Sequence, residues 1–423
     1  MNILIKNGRI IDPANQLDVE KEVYVSGEKI VGIGSEPVGF NADKVIDASG
    51  RIVAPGFIDL NISLREPGFE HKATIASETK AAASAGFTSL CCSPNTQPVL
   101  DTPSVVQLIL DKAAEAGFAK VIPLGALTIN LEGKQLSEMY ALTKAGCAGF
   151  SQAPNNAMSA QTLRRALQYA SSYCLPVILK PENVSIRDNG CIHEGAVSAR
   201  LGLAGIASSA ETVAVGQAIA LAEEVDACVH LTGVSTAKAV SMLSRAQHDG
   251  VKITADVHAY QLHLTELDVG TFDANYHVSP PLRCDTDRDK LIAGVAQGVI
   301  QVSSGHQPHD LEAKQAPFPA TEAGISGIET VLPLMLRLVE KGSLNLSQVV
   351  ASLTVGSADI MGLDLGSLSV GATADICIFD PTLDWIVDET TWLSRGKNTP
   401  YMGQQMAGQV TQTLVNGRLV FER

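Results

Sequence analysis

Basic charge is scarce in this chain. Its 423 residues carry 31 Lys and Arg against 45 Asp and Glu, a formal net charge of −14. So acidic a chain repels nucleic acid and anionic membranes, and neither is expected as a partner. Long apolar runs are missing too: none approaches the roughly 18 residues of a spanning helix. Met1-Asn-Ile-Leu-Ile-Lys-Asn-Gly8 has a short apolar run without a signal-peptide layout, so a cytoplasmic location is expected. The eight cysteines form no C-x-x-C pair, and most lie in apolar, strand-like text. They read as buried free thiols of a reducing compartment and not as a disulfide framework. Phosphate-loop spacing is absent, which leaves Gly366 and Gly371 as turns. No internal repeat and no low-complexity linker interrupts the chain.

What is present is core-forming residue and regular punctuation. Hydrophobic residues make up 45%, enough for a large core. The length suits a barrel of about 250 residues plus a second unit. Residues 1–52 read as short strands and turns, with Asn7-Gly8 as a hairpin signal. From Val53 strands alternate with helices, the signature of a parallel sheet. Eight strand candidates follow: Val53–Ile62, Thr88–Ser93, Val121–Leu127, Gly149–Gln152, Val177–Lys180, Cys228–Val234, Lys252–His258 and Val299–Ser304. Amphipathic or Ala-rich helical text fills the gaps. After residue 365 the text returns to strands and turns, with a second Asn-Gly at Asn416-Gly417. The expected fold is α/β: a TIM-type (β/α)8 barrel over 53–364, with one small β-sandwich domain built jointly from 1–52 and 365–423.

The stretch Val53-Ala-Pro-Gly-Phe-Ile-Asp-Leu-Asn-Ile-Ser-Leu-Arg-Glu-Pro-Gly68 is a buried strand handing over to a polar loop. In an α/β barrel that is the face where chemistry is done. The stretch resembles the first barrel strand of dihydroorotases, members of the amidohydrolase superfamily, which reads G-F-I-D-x-H-x-H-x-R-E-P-G. Further segments match the same family in order: Ser93-Pro-Asn-Thr-Gln-Pro-Val-Leu-Asp101, Glu194-Gly-Ala-Val-Ser-Ala-Arg200, Val234-Ser-Thr236, Ser279-Pro-Pro-Leu-Arg283 and Gly396-Lys-Asn-Thr-Pro-Tyr-Met-Gly403. The resemblance covers nearly the whole chain and points to dihydroorotases rather than hydantoinases.

Family members hold zinc through the H-x-H of strand one, an acidic residue on strand four, His on strands five and six, and Asp on strand eight. Zinc needs imidazole, thiolate or carboxylate ligands converging at about 2.0–2.3 Å. The matching positions here are Asn61 and Ser63, then Gln152 and Ala153, then Lys180, Gly233 and Gly305. None supplies such a ligand, and an ammonium at Lys180 repels a dication. No metal and no cofactor are therefore expected. The family reaction is a reversible amide-ring hydrolysis by metal-bound hydroxide, the metal lowering the pKa of water from about 15.7 to about 7. Forming hydroxide without it costs at most about 12 kcal/mol more. Gly305 stands where the general-base Asp belongs.

Part of the substrate side remains. The resemblance assigns Arg65, Asn95 and His309 to the groups that hold substrate carboxylate and amides. The bland alternative has Arg65 capping a loop, Asn95 in an Asx-type turn before Pro98, and His309 on a surface loop. His306 and His309, with His258 or His263, are a candidate new metal site. Cys91 and Cys92 read as barrel packing, and Trp385 and Trp392 as core or interface anchors. The expected function is that of a pseudoenzyme. Dihydroorotases of some bacteria form stable complexes with aspartate carbamoyltransferase, and inactive dihydroorotase-like chains serve there as non-catalytic subunits. The resemblance thus implies the aspartate carbamoyltransferase catalytic chain as partner in a large hetero-oligomer. The competing readings are an active amidohydrolase with a rebuilt or metal-free site, a small-molecule sensor, and a scaffold outside the pathway.

Overall fold

A computed structural model describes residues 1–152 and 158–423. Ala153, one of the positions matched above to the family's metal ligands, lies outside the described residues. Eight parallel strands form one sheet in chain order: Phe57–Ile62, Phe87–Cys92, Lys120–Ala126, Gly149–Gln152, Val177–Leu179, Val229–Leu231, Ile253–His258 and Gln301–Ser303. The eighth comes back to the first through a parallel bridge between Ile62 and His306, where the Ser63 N–H donates to the His306 carbonyl at 2.9 Å. This is the TIM-type barrel expected. Its strands are short and buried on both faces, which explains their near-continuous apolar text.

The helices between strands start and stop where the residues dictate. Thr74 caps Ile75–Ser84 by accepting from the Ser77 N–H, while Ser77 accepts in return from the Thr74 N–H. Pro103 opens the helix Pro103–Ala116, and Gly117, with φ of 68°, closes it.

Both chain ends build one β unit beside the barrel. Asn2–Lys6, Val23–Ser26, Lys29–Ile33 and Lys44–Asp47 make a four-stranded sheet. Arg9–Asp12, Leu17–Glu20, Ile52–Pro55, Ile376–Ile386, Gln405–Val415 and Arg418–Glu422 make a six-stranded one. Ile3, Ile5 and Ile30 of the first sheet pack with Ile10, Ile376 and Leu414 of the second in a shared core.

Three sequence expectations need correction. Asn7-Gly8 is not a hairpin: the strand before it pairs in the four-stranded sheet and the strand after it in the six-stranded one. Asn416-Gly417 does join an antiparallel pair, with both residues at positive φ. The expected first barrel strand is two strands. Ile52–Pro55 pairs with Ile376–Phe379 of the terminal sheet, and only Phe57–Ile62 enters the barrel. Gly56 makes the break, since a Cβ there would lie 2.3 Å from the Thr88 side chain. Finally, all eight cysteines are free thiols, but Cys174 and Cys228 are exposed.

Buried carboxylates stitch these parts together. Asp59 of the first strand accepts from the Ser304 N–H at 2.9 Å and from the Ser304 hydroxyl, tying strand one to strand eight. Burial pushes its pKa up to about 6 against those bonds. Glu78 accepts from His306 Nε2 at 2.7 Å, the Ser394 hydroxyl at 2.7 Å and the Arg395 N–H at 3.1 Å. Glu329 accepts from the backbone N–H groups of Leu393 and Ser394. The segment that follows the strand Ile376–Ile386 is thus anchored to the barrel by two acids.

Burial pushes the Glu329 pKa from the ordinary carboxylate value of 4.5 up to about 7. The folded state therefore holds this proton more tightly than the unfolded chain, and stability falls as pH rises from about 4.5 to about 7. Glu329→Gln removes that term. Urea unfolding across this window is expected to show a shallower decline in the variant. An unchanged slope would mean that Glu329 is ionised throughout.

Candidate functional site

The strand ends carrying the residues singled out above surround a cavity of about 530 Å³ at the barrel mouth. Asn61, Ser63, Arg65, Asn95, Gln152, Lys180 and His309 all border it. The topology thus brings together residues spread over some 250 positions of chain.

At the centre of the group stands the ring of His258, at the end of the seventh strand. Asn61 Nδ2 lies 3.1 Å from its Nε2, and the Tyr260 hydroxyl lies 2.8 Å from its Nδ1. The Asn61 amide can only donate through Nδ2, so Nε2 accepts and Nδ1 carries the proton toward Tyr260. Burial, with a further push from Lys180, holds the His258 pKa down at about 4, against the pull of Asp256. The ring is neutral near pH 7.

This ring fills the space that two glycines leave. A Cβ on Gly305 would lie 2.4 Å from His258 Cγ, and one on Gly233 would lie 2.8 Å from Nε2. Both glycines have positive φ, 57° and 72°. Any side chain reaching inward from either position meets the imidazole first. The residues present therefore do not fit a zinc ion. Of the positions matched to ligands, Asn61 is committed to His258 through its amide. Gln152 spends its amide on the Thr128 hydroxyl and the Leu131 carbonyl, at 2.8 Å each. Lys180 donates to the Ser279 hydroxyl and faces Glu182 at 3.5 Å.

Arg65, Asn95 and His309 share the cavity but not one task. Arg65 donates through Nε to the Pro308 carbonyl at 2.9 Å, and its terminal nitrogen lies 3.1 Å from His309 Nε2, which also faces the Ala323 carbonyl at 3.1 Å. Burial lowers its pKa to about 10, so it stays charged at neutral pH. His309 is buried and not on a surface loop, because the Asn398 side chain accepts from its N–H at 2.8 Å. Burial and then Arg65 hold its pKa far down. Asn95 is exposed and makes no Asx turn; the hydroxyl of Thr96 bonds the Pro98 carbonyl instead.

The candidate new metal site does not assemble. His306 is fully buried against Glu78, its Nδ1 accepting from the Gly327 N–H at 3.1 Å. His263 donates to the Leu334 carbonyl at 2.9 Å. Among the described residues, His193, Cys284 and Asp287 do bring ligand atoms within 4.8 Å of one another, away from the barrel mouth. There the Arg283 guanidinium already holds His193 Nδ1 at 3.0 Å.

Other motif residues are structural. Glu211 accepts from the N–H and hydroxyl groups of both Ser235 and Thr236, and Arg283 Nε donates to the Ser235 hydroxyl at 3.1 Å. Cys91 and Cys92 are buried, and burial drives both thiols far up. Trp392 is buried with its N–H on the Gly396 carbonyl, and Trp385 bonds the Gly408 carbonyl. Sequence reasoning missed the role of His258. The signal was indirect: two glycines at inward positions leave a hole that some neighbour must fill.

Comparison with known proteins bears on the family and the fold. Residues 50–239 match a family model described as dihydro-orotase-like. A "dihydroorotase-like protein" of Pseudomonas aeruginosa is 45% identical over 423 residues, covering 100% of both chains. One of Pseudomonas putida is 46% identical, covering 99% of each. A protein named dihydroorotase from Syntrophotalea carbinolica is 40% identical over 100% of this chain and 99% of its own. Among solved structures, the L-hydantoinase of Arthrobacter aurescens superposes with a TM-score of 0.89 at 24% identity, covering 99% of this chain and 96% of that one.

The packing makes a sharp prediction. Gly305→Asp is expected to cost about 2–4 kcal/mol, from overpacking against His258 plus the positive φ. In His258→Ala the same substitution is expected to cost at least about 1 kcal/mol less. Urea denaturation of the four proteins of this cycle measures the coupling. Strict additivity would show that the ring does not occupy that space.

Proposed function

The chain belongs to the dihydroorotase-like family of the amidohydrolase superfamily, and we propose that it is an inactive member that serves as the structural, non-catalytic subunit of aspartate carbamoyltransferase. The single observation behind the loss of activity is the His258 ring, lodged where side chains from positions 233 and 305 would project. Hydrolysis of an amide ring needs a nucleophile and a base. Asn61, Ser63, Gln152 and Lys180 provide no metal-activated water, and Gly305 provides no base. Lys180 alone does not polarise a carbonyl, and its proton is shared with Ser279 and Glu182.

The partner follows from family chemistry. A chain that keeps a large barrel without its reaction is useful through its surface or its support of another fold. Fold alone names no partner. Dihydroorotases of some bacteria form stable complexes with aspartate carbamoyltransferase, the preceding enzyme of pyrimidine synthesis, and the acidic chain disfavours nucleic acid and membranes. The proposal places this chain in a permanent cytoplasmic hetero-oligomer. Such interfaces bury about 2,000 Å² or more and survive gel filtration.

Elemental analysis of protein purified without chelator is expected to find far less than one zinc per chain. Dihydroorotase turnover is expected to be absent, and Asn61→His with Ser63→His is not expected to restore it. Stoichiometric zinc in the barrel, or turnover abolished by Lys180→Ala, would overturn the inactive reading. Separately, deleting the chain is expected to lower the activity or change the size of the transcarbamoylase in cells while leaving dihydroorotase activity intact. A transcarbamoylase of unaltered size and activity would refute the subunit role.

A further inference from the structure

The barrel mouth remains open even though its centre is plugged. Its volume of about 530 Å³ lies in the range that holds small organic ligands. On the wall formed after the fifth strand, one carboxylate is shared by two cations. Glu182 is one carboxylate between two cations, its Oε1 3.5 Å from Lys180 Nζ and its Oε2 3.7 Å from Arg187 Nε. Charge-assisted hydrogen bonds run to about 2.7–2.9 Å, so both contacts are loose. The side chains of Lys180 and Glu182 keep only 16% and 6% of their exposure, which leaves little water to screen the group.

Hydrogen-bonding capacity is also left over. Arg187 Nε and Glu182 Oε2 are buried without a hydrogen-bond partner, and so is the hydroxyl of Thr232. Arg187 and Thr232 both border the cavity. Two further acids border the cavity: Glu322 pairs with Lys72 at 2.5 Å, and Asp188 is exposed beside Asn189. A buried donor left without an acceptor is costly. Two cations loosely sharing one carboxylate at the edge of a ligand-sized space suit an incoming anion.

We propose that this wall binds the acid group of a small carboxylate or phosphate metabolite, held between Lys180 Nζ and the Arg187 guanidinium with the Thr232 hydroxyl donating to it. Burial lowers the Lys180 pKa, and a bound anion opposes that shift. The site differs from the Arg65, Asn95 and His309 group, because Arg65 already bonds the Pro308 carbonyl and His309 faces the Ala323 carbonyl. It rests on the metal-free reading of the centre.

Thermal unfolding of the full chain, free and in the complex it purifies with, tests this. Succinate and inorganic phosphate serve as the two probes, each at about 10 mM in EDTA and at constant ionic strength, enough to fill a millimolar site. At least one is expected to raise Tm, and the rise is expected to fall by more than half in Lys180→Met, Arg187→Met and Thr232→Val. Thr232→Val preserves every charge and nearly every atom, so it reports on binding where a lysine variant folds poorly. No rise with either probe, or an equal rise in all three variants, overturns the anion site. A rise that needs added zinc and vanishes in EDTA overturns the metal-free reading as well.

Discussion

The centre of this barrel is set by where the His258 ring sits. With Nε2 accepting from Asn61 and Nδ1 donating to Tyr260, the imidazole is neutral and locked in one orientation. Gly233 and Gly305 are compatible with it because neither carries a Cβ. The constraint runs both ways. The ring excludes side chains at those positions, and the glycines leave a void that an empty core would not tolerate cheaply. Close packing makes such a trade all or nothing: a metal centre reaching in from 233 and 305 and this ring cannot share the volume.

The scaffold around the plug is held by bonds that do not involve it. Asp59 ties strand one to strand eight, Glu78 and Glu329 hold residues 393–395, and Glu211 with Arg283 fixes the loop at Ser235 and Thr236. Several family-like motifs therefore have a purely structural use here. Asn398, in the C-terminal Gly-Lys-Asn-Thr-Pro segment, bridges His309 and the carbonyls of Gln307 and Gly324. These bonds hold the frame whatever the site does, and the resemblance reads strongly at the residues that make them.

The barrel was legible because buried parallel strands write themselves as short apolar runs between helical periods. The substituted ligand positions were legible because each sits inside a motif that fixes its place. Other features were not local. Asn7-Gly8 looks like Asn416-Gly417, yet nothing in the dipeptide says that its flanking strands join different sheets. The run from Val53 to Ile62 is uniformly β-forming, and only the contact of Gly56 with Thr88 shows where one sheet ends. His309 reads as loop text, but Asn398, distant in the chain, helps bury it. The packing role of His258 was illegible for the same reason: it depends on two glycines from other strands.

A metal at a barrel mouth does two physical jobs: it occupies volume and it supplies positive charge. In this chain the two have been separated. His258 takes the volume as an uncharged ring, held far from protonation by burial. Lys180 supplies charge at the wall, beside Arg187 and against the single carboxylate of Glu182. The eight strands are fixed by their own hydrogen bonds, so the mouth is framed independently of whatever fills its centre. What stands there is a polar recess in which Arg65, Lys180 and Arg187 face Glu182, Asp188 and Glu322.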